Sequence, residues 1–316
     1  MNHPAPARPL LLAALVLALS ACGGGGEDAP VAANGDDGVE MGETLDELAE
    51  GGLDCPPEVR EGLAGPDILG VKIGMGVDEA LATVRCELGE DAVVKTENRW
   101  LDRLDTYGTA LGVQYFTVRQ GEHRDCNYSR EWQECDGGQK WEHVDETVDV
   151  ATPGAPGQEM AMVVWRTQVF RDGTKPAAQA VLDALVAKYG QPQRTESSED
   201  RWAGSSGRHD LTWVFDANGR PMGEANPLFN QCANGVNAAG NPGGASWTQG
   251  CGMNISARVL LDGQNPGLVM ELRTAMQDQT RLWKHVEAMQ AALAEAGAAR
   301  REAEVQAAGE AGNVRL

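Results

Sequence analysis

The chain has 316 residues, with 47 acidic against 26 basic side chains and a net charge of −21. That balance argues against nucleic acid and against anionic lipid surfaces, since both are held by basic patches. It favours solubility and admits cationic partners.

The first element is an amino-terminal segment. Arg8 is followed by an unbroken apolar run, Leu10 to Leu19. A run of ten is too short for a bilayer, which needs roughly 20 residues, but it suits the apolar region of a secretory signal. Leu19-Ser20-Ala21-Cys22 comes next. This box resembles that of bacterial lipoproteins. The resemblance implies a signal peptide over 1–21, cleavage before Cys22 and acylation of its thiol with lipid (palmitate among the chains). Two or more acyl chains hold a protein stably on a membrane. Gly23 stands where that pattern places Asp for inner-membrane retention, so the resemblance implies an outer-membrane lipoprotein, expected to face the periplasm. No other cofactor is expected.

Residues 22–53 read as a tether. The stretch 23–50 carries nine acidic residues and no basic one, with a run of glycines at its start. Sequence of this kind cannot bury enough apolar surface to fold.

Six cysteines remain after Cys22, namely Cys55, Cys86, Cys126, Cys135, Cys232 and Cys251. An even number in an exported chain reads as disulfides, with 15 possible pairings. Proximity favours Cys126–Cys135 and Cys232–Cys251, leaving Cys55–Cys86. His123 and His143 flank the first pair, but a structural zinc site wants C-x(2–4)-C and H-x(3–5)-H. No metal is expected there.

The globular region divides into a first module, 54–172, and a second, 173–276. Pro56 and Pro57 suit a short helix to Leu63. Val77, Ala80, Leu81, Val84 and Leu88 recur at helical spacing, with Asp78 and Glu79 in the first turn and Gly89 as the stop. A second helix has Pro176 at its expected first position, Val181, Leu185 and Tyr189 on one face, Lys188 in its last turn and Gly190 at its end. Each helix precedes a similar echo: Lys95-Thr96-Glu97 before Arg99-Trp100, and Arg194-Thr195-Glu196 before Arg201-Trp202. Strands are expected over 112–120, 160–170, 210–216, 254–262 and 268–274. Polar insertions at 121–148 and 218–253 each carry a cysteine pair. The expected fold is therefore α+β: two tandem modules, each a helix packed on an antiparallel sheet, plus a long C-terminal helix. The helix falls in 277–316, where Leu282, Val286, Met289 and Leu293 form one apolar stripe. The stripe suits docking on its own domain or pairing with another helix.

Gly74, Met75, Glu79 and Ala80, opening a helix after a short strand, resemble the small outer-membrane assembly lipoproteins of the SmpA/OmlA type. Tandem copies of a related unit occur in β-lactamase inhibitory proteins. The resemblance implies the same helix-on-sheet unit; Gly76 and the long insertions depart from it.

Enzyme signatures are thin. G-x-S-x-G, H-E-x-x-H and P-loop motifs are absent from the sequence. Ser205, Ser206, His209 and Asp210 are neighbours in one short stretch, whereas triad members converge from separate supports. Binding features are better. Tyr128, Trp132 and Trp141 in one insertion, and Phe229 and Trp247 in the other, are candidate partner-binding aromatics on bridged loops. If both insertions leave the same sheet edge, they form one composite surface. The leading expectation is a non-enzymatic envelope lipoprotein that binds a protein partner as a scaffold or assembly module. An inhibitor of a secreted hydrolase is the alternative, and a cell-wall or glycan-active enzyme the third.

Overall fold

The computed structural model describes residues 55, 63 and 65–311, apart from 128, 129, 131, 132, 137 and 200–203. Cys22, the tether, the 56–62 segment, Tyr128, Trp132 and Trp202 lie outside the described residues.

The chain is α+β. Strands β1 (Asp67–Ile68) and β2 (Val71–Lys72) form a hairpin. Its two-residue turn has Leu69 and Gly70 at φ 49 and 76, the positive values a tight hairpin turn requires. Helix α1 (Val77–Leu88) follows, then β3 (Val93–Glu97), β4 (Tyr115–Asp125), β5 (Gln139–Ala151) and β6 (Val163–Val169). The second half repeats the order with α2 (Ala178–Tyr189), β7 (Arg194–Ser198), β8 (Ser205–Asp216), a short α3 (Phe229–Ala233), β9 (Cys251–Asp262) and β10 (Val269–Asp278). Helix α4 (Gln279–Ala311) is the last element among the described residues.

Both module helices stop in the same way. Gly89 and Gly190 have φ 95 and 80 and donate their N–H groups back to Arg85 and Val186 carbonyls, as glycine does after a last helical turn. Helix α2 begins two residues later than Pro176 suggests. Pro176 and Ala177 are instead engaged by the edge of β10: Val269 N donates to Pro176 O at 2.9 Å, and Ala177 bridges Leu268.

The two modules share one sheet. Its order is β3-β4-β5-β6-β10-β9-β8-β7, antiparallel throughout. Each module contributes an up-and-down run of four strands, and the runs meet at β6 and β10. The echoed Lys95-Thr96-Glu97 and Arg194-Thr195-Glu196 segments occupy the two outermost strands. Because β6 and β10 are antiparallel, the second run is reversed relative to the first. The β4–β5 and β8–β9 connections therefore leave opposite ends of the sheet, and the expected composite surface does not form.

Side chains alternate between two faces. One face is apolar at its centre, with Phe116, Val118, Val148, Val150, Val164, Met276, Ile255 and Trp213 buried. Helix α2 packs there: Tyr189 meets Trp213 edge-on at 5.3 Å, and Trp213 Nε1 donates to Gly190 O at 2.8 Å. Tyr189 Oη also donates to Asp67 O at 2.9 Å, which ties the β1–β2 hairpin to the second module. The other face carries polar residues, described below.

The α4 stripe docks on its own chain. Leu282, Val286, Met289 and Leu293 are all buried. Met289 and Leu293 pack with Ala155 and with Leu104 and Leu111 of the long β3–β4 connection. Tyr107 lies against Gly297, where an added Cβ would come within 2.5 Å of the tyrosine Cβ. The helix thus holds the 98–114 connection in place.

Candidate functional site

The polar face is half covered by the second insertion. Val236 N and Ala238 N donate to Asn254 Oδ1 and Ser256 Oγ, and Gln277 Nε2 donates to Ser246 O. Gln279 links the same insertion at both ends, donating to Cys232 O and accepting from Thr248 N. The insertion then crosses onto the first module, where Trp100 Nε1 donates to Gly243 O at 2.9 Å.

The insertion stops short of the first module's far edge and leaves a cleft of about 660 Å³. Strand register builds its floor. Thr117 and Asp149 are aligned on β4 and β5, and Arg119, Thr147 and Thr167 form the next row on β4, β5 and β6. Lys95 and Glu97 enter from β3, and Arg99, Trp100 and Asp102 form a wall that Trp100 joins to Pro242 and Gly243. Trp100 also lines a neighbouring hollow of about 300 Å³ with Leu104, Leu111 and Gln114.

Asp149 is the central group. It is 6% exposed. Its Oδ1 accepts from Tyr115 Oη at 2.9 Å and Thr117 Oγ1 at 2.7 Å. Its Oδ2 makes no hydrogen bond among the described residues. Burial pushes the carboxyl above its ordinary range, against the lowering effect of the two hydroxyls and Arg119. Burial likewise raises the Tyr115 phenol, with the Asp149 charge adding to it. Arg119 and Lys95 converge on Asp136, whose carboxyl is held low chiefly by the Arg119 hydrogen bond.

The sign for stability follows from the upward shift. Ionised Asp149 opposes folding above the ordinary carboxylate range, and the opposition disappears as pH falls through the raised value. Asp149→Asn keeps the shape and an acceptor for both hydroxyls. It is expected to be more stable than wild type near about pH 7, with the difference vanishing near about pH 3. Urea unfolding at the two pH values checks this.

The expected site residues are dispersed. The disulfides are Cys55–Cys86, Cys126–Cys135 and Cys232–Cys251. The His123 ring meets Trp141 at 4.7 Å, tilted by 42°, and His143 Nε2 lies 3.2 Å from Asp145. Trp141 is thus partly occupied by its own strand pair. Phe229 is corrected from an exposed contact to a core residue at 0% exposure, packed with Val214, Met222, Cys232 and Cys251 beneath the Arg194 guanidinium. Trp247 is half-buried. Ser205, Ser206, His209 and Asp210 lie along β8. Alternation sends His209 to Ser197 Oγ at 2.8 Å and Asp210 to Arg258 on the opposite face.

Most of the insertion expected over 121–148 is strand, β4 to Asp125 and β5 from Gln139. The outer parts of these strands carry charges on both faces, Glu146 with Arg166 on one and Glu122 and Asp145 with Arg171 on the other, so they lack an apolar stripe. The cleft residues Thr147, Asp149 and Thr167 were missed for related reasons. Alternation in Thr147-Val148-Asp149-Val150 was the available signal.

No family model matches the chain, no curated protein matches it, and no solved structure matches it.

Proposed function

We propose that this protein is a lipid-anchored binding protein of the cell envelope. Cys22 carries the anchor by its resemblance to a lipoprotein box, and the acidic segment 23–50 spaces the folded part from an outer-membrane surface facing the periplasm. The folded part binds an envelope component and does not catalyse. The observation that carries this reading is the cleft over the first module, with a buried carboxylate that keeps one oxygen unpartnered among the described residues. Fixed donors and acceptors in a concave site are the usual ingredients of recognition. The bridged insertion supports it, because a wall held at both ends by Gln279 loses little entropy on binding.

The test has two arms. Palmitate-analogue labelling is expected to mark wild type and to miss Cys22→Ser. A photoreactive side chain at position 147 is expected to cross-link an envelope component, while one at position 188, on the helix-bearing face, does not. Absence of label removes the anchor, and equal cross-linking from both positions removes the cleft as the binding site.

A further inference from the structure

We infer that the cleft takes an uncharged oligosaccharide; this deepens the binding reading above and rests on it. The lining excludes the other ligand classes by charge and by backbone use. Lys95, Arg99 and Arg119 face Glu97, Asp102 and Asp149, three cations against three carboxyls. Two of those cations are already held by Asp136. A phosphate or carboxylate ligand would find no net positive field. A peptide strand would find no backbone to pair with on the floor, whose N–H and C=O groups are used within the sheet, and pairing with the outer edge of β3 would place it in the sheet plane, beside the cleft and not over its face. An apolar ligand would meet mostly charged groups and hydroxyls.

A sugar ring fits what remains. Each hydroxyl both donates and accepts. It can donate to Asp149 Oδ2 and accept from Arg119 or the Thr147 and Thr167 hydroxyls on the same floor. Trp100 supplies an aromatic side chain at the wall, with its indole N–H already given to Gly243 O. The volume, about 660 Å³, lies within the range of roughly 300–1,000 Å³ found for small-ligand sites. Asp149 as a residue is 6% exposed, so a hydrogen bond from a sugar hydroxyl to its free oxygen is made in partly desolvated surroundings and its loss is costly.

The experiment is calorimetric titration of the full-length chain in detergent with two- to four-unit oligomers of glucose, mannose and N-acetylglucosamine. Acidic oligomers of galacturonic acid serve as the charged comparison. At least one neutral series is expected to bind. Asp149→Asn, Trp100→Ala and Thr147→Val are each expected to weaken that binding about tenfold or more. Asp149→Asn is informative because it is expected to be the more stable protein, so its loss of binding is not unfolding. No neutral binding at millimolar concentration, preference for the acidic series, or binding unchanged in all three variants overturns the inference. Release of new reducing ends supports saccharide recognition and overturns the non-catalytic reading. Cross-linking at position 147 to a protein without neutral saccharide binding keeps the binding reading and overturns this one.

Discussion

Replacing Cys232 and Cys251 together by alanine is expected to destabilise the protein by about 3–5 kcal/mol, and Cys126 with Cys135 by about 2–3 kcal/mol. Chain entropy alone hardly separates them. The sequence separations are 19 and 9 residues, and the entropic contribution grows only with the logarithm of loop length, a difference of roughly 0.7 kcal/mol. Packing makes the larger difference. Cys232 and Cys251 are fully buried among Val214, Met222 and Phe229, so removing both sulfurs also leaves a void. Cys126 and Cys135 sit half-exposed at the far end of a hairpin. The functional consequence differs as well. The inner bridge holds α3 against β9, and α3 begins the segment that ends in the Pro242–Gly243 wall. Its loss is expected to open the cleft and to expose Trp165 and Ala275 beneath the insertion. Urea unfolding reads the stability, and tryptophan fluorescence reads the uncovering before the main transition. Equal destabilisation by the two double variants would refute the packing argument.

The module helices and the C-terminal helix were legible because their signals are local: apolar residues at helical spacing and a glycine stop at Gly89 and Gly190. Two of the cysteine pairs were legible from proximity, which left Cys55–Cys86 by elimination. Strands β3 and β7 were harder. Each has five residues with charges at alternate positions, which suits an exposed edge but gives no apolar pattern to detect. The echo of Lys95-Thr96-Glu97 in Arg194-Thr195-Glu196 nevertheless marked both, as equivalents in a repeated unit. What no local pattern carried was the seam. That β6 pairs with β10, and antiparallel, decides that the insertions leave opposite ends of the sheet.

The cleft was illegible for the same reason. Lys95, Asp149 and Thr167 are brought together by strand register, while Gly243 arrives from 143 residues beyond Trp100. Sequence reasoning looked instead for aromatics in the insertions. It took Phe229 as a candidate contact on a bridged loop, but α3 turns that side chain into a core shared with β8 and β9. A bridged insertion long enough to fold its own small core hides its aromatics first.

Leu293→Ala is expected to cost about 2–5 kcal/mol, and Met289→Ala a similar amount, although both lie on a surface helix. Val305→Ala, on the same helix, is expected to stay within about 0.5 kcal/mol. The contrast follows from burial: Met289 and Leu293 are 1% exposed and Val305 is 72% exposed. Met289 and Leu293 do more than anchor the helix. They grip Leu104 and Leu111, and one turn further on Gly297 and Arg301 receive Tyr107. These contacts hold the connection that delivers Arg99 and Trp100 to the cleft wall. Leu293→Ala is therefore expected to loosen that wall, to speed protease cleavage within 98–111, and to weaken ligand binding at a site its side chain does not touch. Truncation after Glu302 removes a stretch whose described side chains, 303–309, are exposed and is expected to leave stability and binding unchanged. A Leu293→Ala protein that is destabilised but keeps full cleft binding and a protected 98–111 connection would show that α4 serves the fold without positioning the site.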